Sequence, residues 1–342
     1  MQRGTYPHGG FVRAHVYVPG MLVCELSDGC EIDQVLLVRE VESCPKRDGG
    51  EFLRLGLGDR TGVVAATIWD GVAELRRHVR RGQPVRVIGR CDGGEITVRA
   101  LRAPAEGSFD PADLLAGPPR PAEAMESELR ELVATVRNPH LGALLDAIVG
   151  PDAPTWPAFR DAPAAKLYHQ AYAHGLLEHS LTVGQAVHAM SATFPGIDHD
   201  VAVTGAILHD VGKLEAYASD GLRIEMTDAG RLQGEIVLGY TRVRRAIEAI
   251  EGFPAERAEA VLHVILSHHG SLQHGSPVVP CTREATLVHF VDNLGGRLGA
   301  FDRLEKELPE GERWSAYDRA LGSGAYFAAG RASGSAPAAA AA

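Results

Sequence analysis

VAVTGAILHDVGK, residues 201–213, is the stretch on which the reading of this chain turns. Residues 201–208 run almost without a polar side chain into the pair His209-Asp210, and Gly212 then offers a helix end. A helix ready for burial has little structural reason to finish in His, Asp and Lys together. Metal ligation by His209 and Asp210, with Lys213 reaching a bound phosphate, accounts for all three.

Other segments repeat the device. His179 lies in HGLLEHSLTV (174–183), where Leu176, Leu177, Leu181 and Val183 give a helix its buried side. Alone, such a His is more often a satisfied core residue than a ligand. VLHVILSHHG (261–270) is another apolar helix that stops in His268-His269 before Gly270. In ATLVHFVDNLGG (285–296) the acid Asp292 interrupts an otherwise apolar helix, and His289, three residues earlier, shares its face. A carboxylate in that setting is costly unless a positive charge compensates it, which a divalent metal would do. Imidazoles and carboxylates gathered from several helices suit a metal in an all-α pocket, and open coordination positions suit hydrolysis of a phosphate ester.

Around these motifs the chain reads as helical from Ala122 onward. Helices are expected near 122–137, 140–149, 164–191, 198–210, 229–251, 254–269 and 283–307, with YASDGLRIEMTD (217–228) a small hairpin or loop. The first third is different. DQVLLVREVESC (33–44), EFLRLGLGD (51–59), VVAATIWD (63–70) and the two halves of QPVRVIGRCDGGEITVRALRA (83–103) read as five strands separated by turn residues. A short polar helix, AELRRHVRRGQ (73–83), follows the third strand. That order is the one of an OB-fold barrel. HVYVPGMLVCEL (15–26) offers one further strand of unassigned role. The expected architecture is therefore multidomain: an all-β OB-fold nucleic-acid-binding domain over 1–102, with its barrel at about 30–102, followed by an all-α helical bundle over 122–310. A Pro-, Ala- and Gly-rich linker spans 103–121, and the low-complexity 330–342 reads as a disordered tail.

Charge divides along the same line. Residues 1–110 carry fifteen basic and fifteen acidic side chains, so the whole net charge of −10 falls on the remainder. Within the neutral part, Arg76, Arg77, Arg80, Arg81, Arg86, Arg90, Arg99 and Arg102 face only Asp92 and Glu95 between residues 76 and 102. This group is either a phosphate-contacting surface or a solvated face. Trp69 and Phe52 are candidate base platforms beside it, although aromatics in a small barrel are more often core. No apolar stretch is long enough to span a bilayer, and no signal-type core opens the chain, so a cytoplasmic address without membrane attachment is expected. The five cysteines form no CxxC pair and read as reduced, structural thiols.

The order His179, His209-Asp210, Asp292 resembles the HD-domain metal-dependent phosphohydrolases. Within them, GLLEHSLTV, ILHDVGKLEAY, GEIVLGY and LSHHGSLQHGSPVVPCTREATLVHFVDNL are similar to the YhaM-type 3′-to-5′ exoribonucleases, which also carry an N-terminal OB-fold. The resemblance extends from about residue 30 to about 310. It implies hydrolysis of single-stranded nucleic acid from the 3′ end to mononucleotides, RNA favoured over DNA, with one or two divalent ions, manganese first and magnesium, cobalt, iron or nickel as alternatives. It makes His179, His209, Asp210 and Asp292 the primary metal ligands. His268 and His269 would complete or supplement a second position, with Asp210 able to bridge. Two departures stand out: Glu235 takes the place of a usual His before IVLG, and still offers a carboxylate to a hard ion, and Gly295 stands where an acid is usual.

Asp210, Lys213 and His209 are thus the candidate catalytic residues. His274 and His289 are candidates to border the substrate, with Trp69, Phe52, Arg76, Arg77, Arg86 and Arg90 on the barrel. The ligand set alone does not choose among phosphate substrates, so a nucleotide or cyclic-dinucleotide phosphohydrolase stays open. So does a non-catalytic OB-based regulator, and so does a homo-oligomer. The barrel argues for a polymeric substrate, because a small nucleotide gains little from a second binding domain.

Overall fold

The computed structural model describes residues 20–46, 49–76, 79–115, 117–118, 120–165, 170–219, 224–308 and 311–328. The described residues fall into two compact units, the first running to Gly117 and the second beginning at Pro118. Arg77 and the tail 330–342 lie outside the described residues, as does the first part of the stretch 15–26. The rest of that stretch holds a 3-10 turn, Val23–Glu25, where a strand was expected.

The first unit is a closed barrel of strands β1 (Glu31–Pro45), β2 (Glu51–Gly58), β3 (Val63–Ile68), β4 (Pro84–Asp92) and β5 (Glu95–Arg102) in the order β1-β2-β3-β5-β4. Closure depends on the length of β1. Its first half pairs with β4 and its second with β2, and the register shifts between Val38 and Glu40, where the strand bends from one partner to the other. Alternation then sends Leu36, Val38, Leu53, Leu55, Leu57, Val85, Val87 and Ile96 inward to one apolar core. The helix after β3 is a single turn, α1 (Val72–Leu75), and Val72, Leu75 and Val79 pack on that core. The expected linker is partly structured. Its turn α2 (Pro111–Leu114) is held by an Arg60–Asp113 ion pair and by the Arg39 guanidinium donating to the Leu114 carbonyl, and Leu114 is buried.

The second unit is helical: α3 (Ala122–Val133), α4 (Pro139–Val149), α5 (Trp156–Asp161), α6 (Gly175–Ser191), α7 (His199–Leu208), α8 (Lys213–Ala216), α9 (Asp228–Gln233), α10 (Glu235–Glu248), α11 (Ala255–Ser267) and α12 (Arg283–Glu307). Helix α7 is the axis of the bundle. All of 201–208 is buried, and α7 packs on α4, α6, α11 and α12, which is why its sequence has no polar face. Asp198 caps it by accepting from the Val201 amide, as Thr282 caps α12 through Ala285. The expected hairpin forms as β6 (Tyr217–Ser219) against β7 (Ile224–Met226). Two expected helices differ from their sequence reading. Among the described residues the one at 164–191 is helical from Gly175, and the one at 229–251 is broken at Gly234 into α9 and α10. Past α12, residues 313–327 fold back in short bridges that the sequence did not announce. Among the described residues no helix is long and apolar enough to cross a membrane.

Candidate metal centre

Four elements deliver the site. His179 sits one turn into α6, His209 and Asp210 follow directly on α7, His268 and His269 follow α11, and Asp292 lies within α12. Nε2 of His179 is 3.1 Å from Nε2 of His209, 3.2 Å from Asp210 Oδ2 and 3.2 Å from Asp292 Oδ1. His209 Nε2 is 3.4 Å from Asp210 Oδ2 and 3.7 Å from Asp292 Oδ1. Ligands held at about 2.1 Å from one ion stand roughly 3.0–3.4 Å from each other in octahedral or tetrahedral array, so these separations are those of a coordination shell. His179, His209 and Asp292 are near enough together to share an ion.

The tautomers point the same way. Nδ1 of His209 lies 2.7 Å from the Ala206 carbonyl, that of His268 2.8 Å from Ile265, that of His269 2.9 Å from His274, and that of His289 2.7 Å from His268. A carbonyl only accepts, so each Nδ1 carries the hydrogen, and in the neutral ring each Nε2 keeps a lone pair. His268 Nε2 and Asp210 Oδ1 are buried without a hydrogen-bond partner and stand 3.6 Å apart. Two orphaned donor atoms in a sealed interior are explained by a cation that both would bind.

Electrostatics holds the cluster charged although it is buried. Burial opposes charge on Asp210 and Asp292, yet Lys213, His179 and His209 hold both carboxyls well below the usual range. Burial also works against charge on His209, but the Asp210 and Asp292 carboxylates outweigh it and raise the imidazole to about 10. His268 is pushed down to about 3 by its burial and by His209 beside it, so it stays neutral with its lone pair available. Without an ion, Lys213 and the His209 proton balance the two carboxylates, so a divalent ion taking the His209 lone pair would replace that proton.

Lys213 takes a different position from the one its motif suggested. It begins α8, three residues after Asp210, and its Nζ sits 2.5 Å from Asp210 Oδ2, so it anchors the carboxylate. Gly212 makes the turn possible. A Cβ there would stand 1.9 Å from the Glu235 carbonyl oxygen and 2.4 Å from the Gly239 amide nitrogen, because the turn lies flat on the start of α10. Gly212→Ala is expected to cost roughly 2–3 kcal/mol and to lower the melting temperature; a variant as stable as the parent would show that the turn and α10 separate freely.

Glu235 opens α10 with Oε1 3.7 Å from His269 Nε2. Beyond it, a cavity of about 250 Å³ is lined by His268, His269, His274, His289, Asp292 and Asn293. His274 and His289 are therefore on its wall, as their spacing suggested. Asn293 was missed, and only its place after Asp292 could have signalled it. Missed too was buried Glu178, next to His179, which accepts from Gln170 Nε2 at 3.1 Å and from the Tyr172 hydroxyl.

On the barrel, Phe52 and Trp69 stack with ring centroids 4.7 Å apart, and Trp69 is half exposed. The arginines are less free than their count implied. Arg76 pairs with Glu51, Arg86 with both oxygens of Asp33, Arg90 with Asp92 and Arg99 with Glu31.

Residues 176–296 match the family model described as HD domain. Proteins named 3′-5′ exoribonuclease YhaM align with most of the chain. That of Bacillus velezensis is 28% identical over 300 residues, covering 86% of this chain and 93% of its own length. Those of a Geobacillus species and of Bacillus subtilis are 28% and 27% identical, over 83% and 86% of this chain and 88% and 93% of their own lengths. The chain joins an OB-like barrel to a helical unit that contains an HD domain, and over most of its length it is similar to the YhaM exoribonucleases.

Proposed function

We propose that this chain is a metal-dependent exonuclease that degrades single-stranded RNA from the 3′ end to mononucleotides. The observation that carries the reading is the buried cluster of His179, His209, Asp210 and Asp292, whose facing atoms are spaced as ligands, with Asp210 Oδ1 and the neighbouring His268 Nε2 left without a hydrogen-bond partner. Those four would hold a first divalent ion. His268, His269 and Glu235, with Asp210 offering its second oxygen, would hold another. Mixed imidazole and carboxylate donors suit manganese, our first choice, as well as iron, cobalt or nickel, with magnesium less favoured by the imidazoles. Bound there, such an ion supplies Lewis acidity towards a phosphate oxygen and a more acidic water.

The chain's own residues do the rest. Lys213 fixes the orientation of Asp210, and the backbone carbonyls of Ala206, Ile265, His274 and His268 fix four imidazole rings. His274, His289 and Asn293 line the cavity where a terminal nucleotide would sit against the cluster. On the barrel, the Phe52–Trp69 stack offers a base platform. Arg76, Arg86 and Arg90 would have to exchange their carboxylate partners for phosphate, so aromatic stacking carries more of the binding than arginine charge. Degradation from the 3′ end and the choice of RNA draw on the names of the relatives, and a polymeric substrate draws on the barrel. The five free cysteines fit work in the reducing cytoplasm.

The test is incubation of the protein and manganese with 5′-labelled single-stranded RNA and the matching DNA, resolved on a denaturing gel. A ladder shrinking towards the label, absent in His209→Ala/Asp210→Ala, is expected with RNA. Unchanged bands with both strands would leave the nucleotide phosphohydrolase as the surviving enzyme. Trp69→Ala is expected to raise the RNA dissociation constant about tenfold, as loss of one stacked base does, with turnover at saturation unchanged. Equal affinities would place the strand on another face of the barrel.

A further inference from the structure

The turn that leads into β1 brings two cysteines together in a way that hydrolysis does not use. In Ser27-Asp28-Gly29-Cys30 the Cys30 amide donates to the Ser27 carbonyl at 3.2 Å, and Gly29 has a φ of 85°, a left-handed value that favours glycine. The Gly29 amide then donates to the Cys91 carbonyl at 2.7 Å, and the Cys91 amide donates to the Cys30 carbonyl at 3.0 Å. Two residues of the incoming chain thus oppose one residue of β4, which is a bulge opened by a left-handed glycine. The bulge sets Cys30 opposite Cys91, in step with the pairing of Glu31 and Arg90 that begins β1. Both side chains turn to the barrel interior: Cys91 is buried in the apolar core, and Cys30 packs against that core. Residues opposed at a hydrogen-bonded antiparallel position have Cα atoms about 5.5 Å apart, a separation usual for a disulfide. The Cys30 sulfur lies within hydrogen-bonding reach of the Cys91 thiol, and both thiols are free.

We propose that Cys30 and Cys91 are a peroxide-responsive switch, closing to a disulfide that fastens the segment before β1 to β4 and reopening on reduction by a dithiol. The two sulfurs take different parts. Burial raises the Cys91 thiol above its ordinary value, and Cys30 beside it adds to the rise, so Cys91 keeps its proton. Cys30 is the less buried of the two and meets peroxide first. Its thiolate attacks one peroxide oxygen, forming the S–O bond as the O–O bond breaks, and the released hydroxide takes up a proton and leaves as water. The Cys91 sulfur then attacks the sulfur of the Cys30 sulfenic acid. The S–S bond forms as the S–O bond breaks, and the hydroxyl departs as water with the Cys91 proton. Two thiols are oxidised to one disulfide, and one peroxide is reduced to two waters.

Closure changes the mechanics of the barrel. In the reduced form the segment is held by Val23 and Leu26 on the core, by the Val23 amide donating to Asp59 at 2.7 Å and by the Gly93 amide donating to Asp28 at 2.7 Å. The disulfide adds a link that persists when those contacts loosen. It also closes a loop containing β1, β2, β3 and most of β4, which takes freedom from the unfolded chain. Sulfur stored in this way is spared the irreversible step to sulfinic acid.

The experiment is brief treatment of the full chain with hydrogen peroxide, followed by mass spectrometry of tryptic peptides and by melting curves. A link between the Cys30 and Cys91 peptides is expected, with fragmentation to tell Cys30 from Cys24, which shares its peptide. The melting temperature of the barrel is expected to rise by at least about 5 °C, and dithiothreitol should reverse both changes. Cys30→Ser should form no link and show no rise, while its untreated melting temperature stays near that of the untreated parent. The proposal is overturned if Cys30 and Cys91 both stay thiols, or if Cys30 passes to sulfinic acid without the link. It is overturned equally if Cys24 supplies the partner of Cys91, or if the link forms and the melting temperature does not move. None of these readouts involves the metal centre, so they stand or fall apart from the nuclease reading.

Discussion

Asp210→Asn is expected to slow hydrolysis of single-stranded RNA by at least about a thousandfold, the size of losing a principal electrostatic element of an active site. Asp210 stands between the two groups of histidines. Its Oδ2 approaches His179, His209 and Lys213, and its Oδ1 faces His268. Asparagine keeps the shape and loses the charge. Its carbonyl would accept from the Lys213 ammonium and its amide nitrogen would donate to His268 Nε2, so an oxygen ligand is replaced by a group with no lone pair to offer an ion. Metal content measured on the purified variant should fall with activity, because the ligand that would serve both positions is gone. Some stability should go with it, since Lys213 keeps a largely buried charge without its carboxylate. The barrel is built from other residues, so RNA binding followed by fluorescence anisotropy should stay within about twofold, a change of less than half a kcal/mol. Activity within tenfold of the parent would remove Asp210 from the mechanism and with it the reading of the cluster.

The centre was legible in the sequence to the extent that burial and polarity conflict there. A helix apolar on every side that ends in His209-Asp210, and an acid at position 292 in an apolar helix, violate the ordinary pattern of a core, and the structure brings those residues together with His179. The barrel was legible because alternation and turn residues fix strand order. What stayed hidden depends on register or on local geometry. Arg86 meets Asp33, and Arg99 meets Glu31, only because β1 and β4 pair as they do and β5 lies beside them. A count of charges along the chain therefore overstated the basic surface. Lys213 was assigned to phosphate by its motif, while the three-residue step returns its ammonium to Asp210. The turn α2 was hidden in a Pro- and Gly-rich stretch because its stability comes from Arg39 and Arg60 on the barrel and not from its own sequence.

The response to pH should separate the metal-free protein from the loaded one. Without a cation, His209 is raised to about 10 by Asp210 and Asp292, whereas in the unfolded chain it returns to about 6.5. The folded state then binds the extra proton between those two values, so its stability is full below pH about 6.5 and declines as pH rises towards 10. The slope cannot exceed about 1.4 kcal/mol per pH unit for one proton. At the acid end the depressed carboxyls act in the opposite sense: the stability they contribute is present above about pH 4, their unfolded value, and is lost as pH falls. A divalent ion competes with the His209 proton for the same lone pair, so ion binding releases a proton and tightens as pH rises. Melting curves after chelation should therefore fall between about pH 6.5 and pH 9, and the gain on adding manganese should grow over the same range. A manganese-induced gain that is constant between those pH values would mean that His209 does not exchange its proton for the ion. The first metal position would then have to be assigned without it.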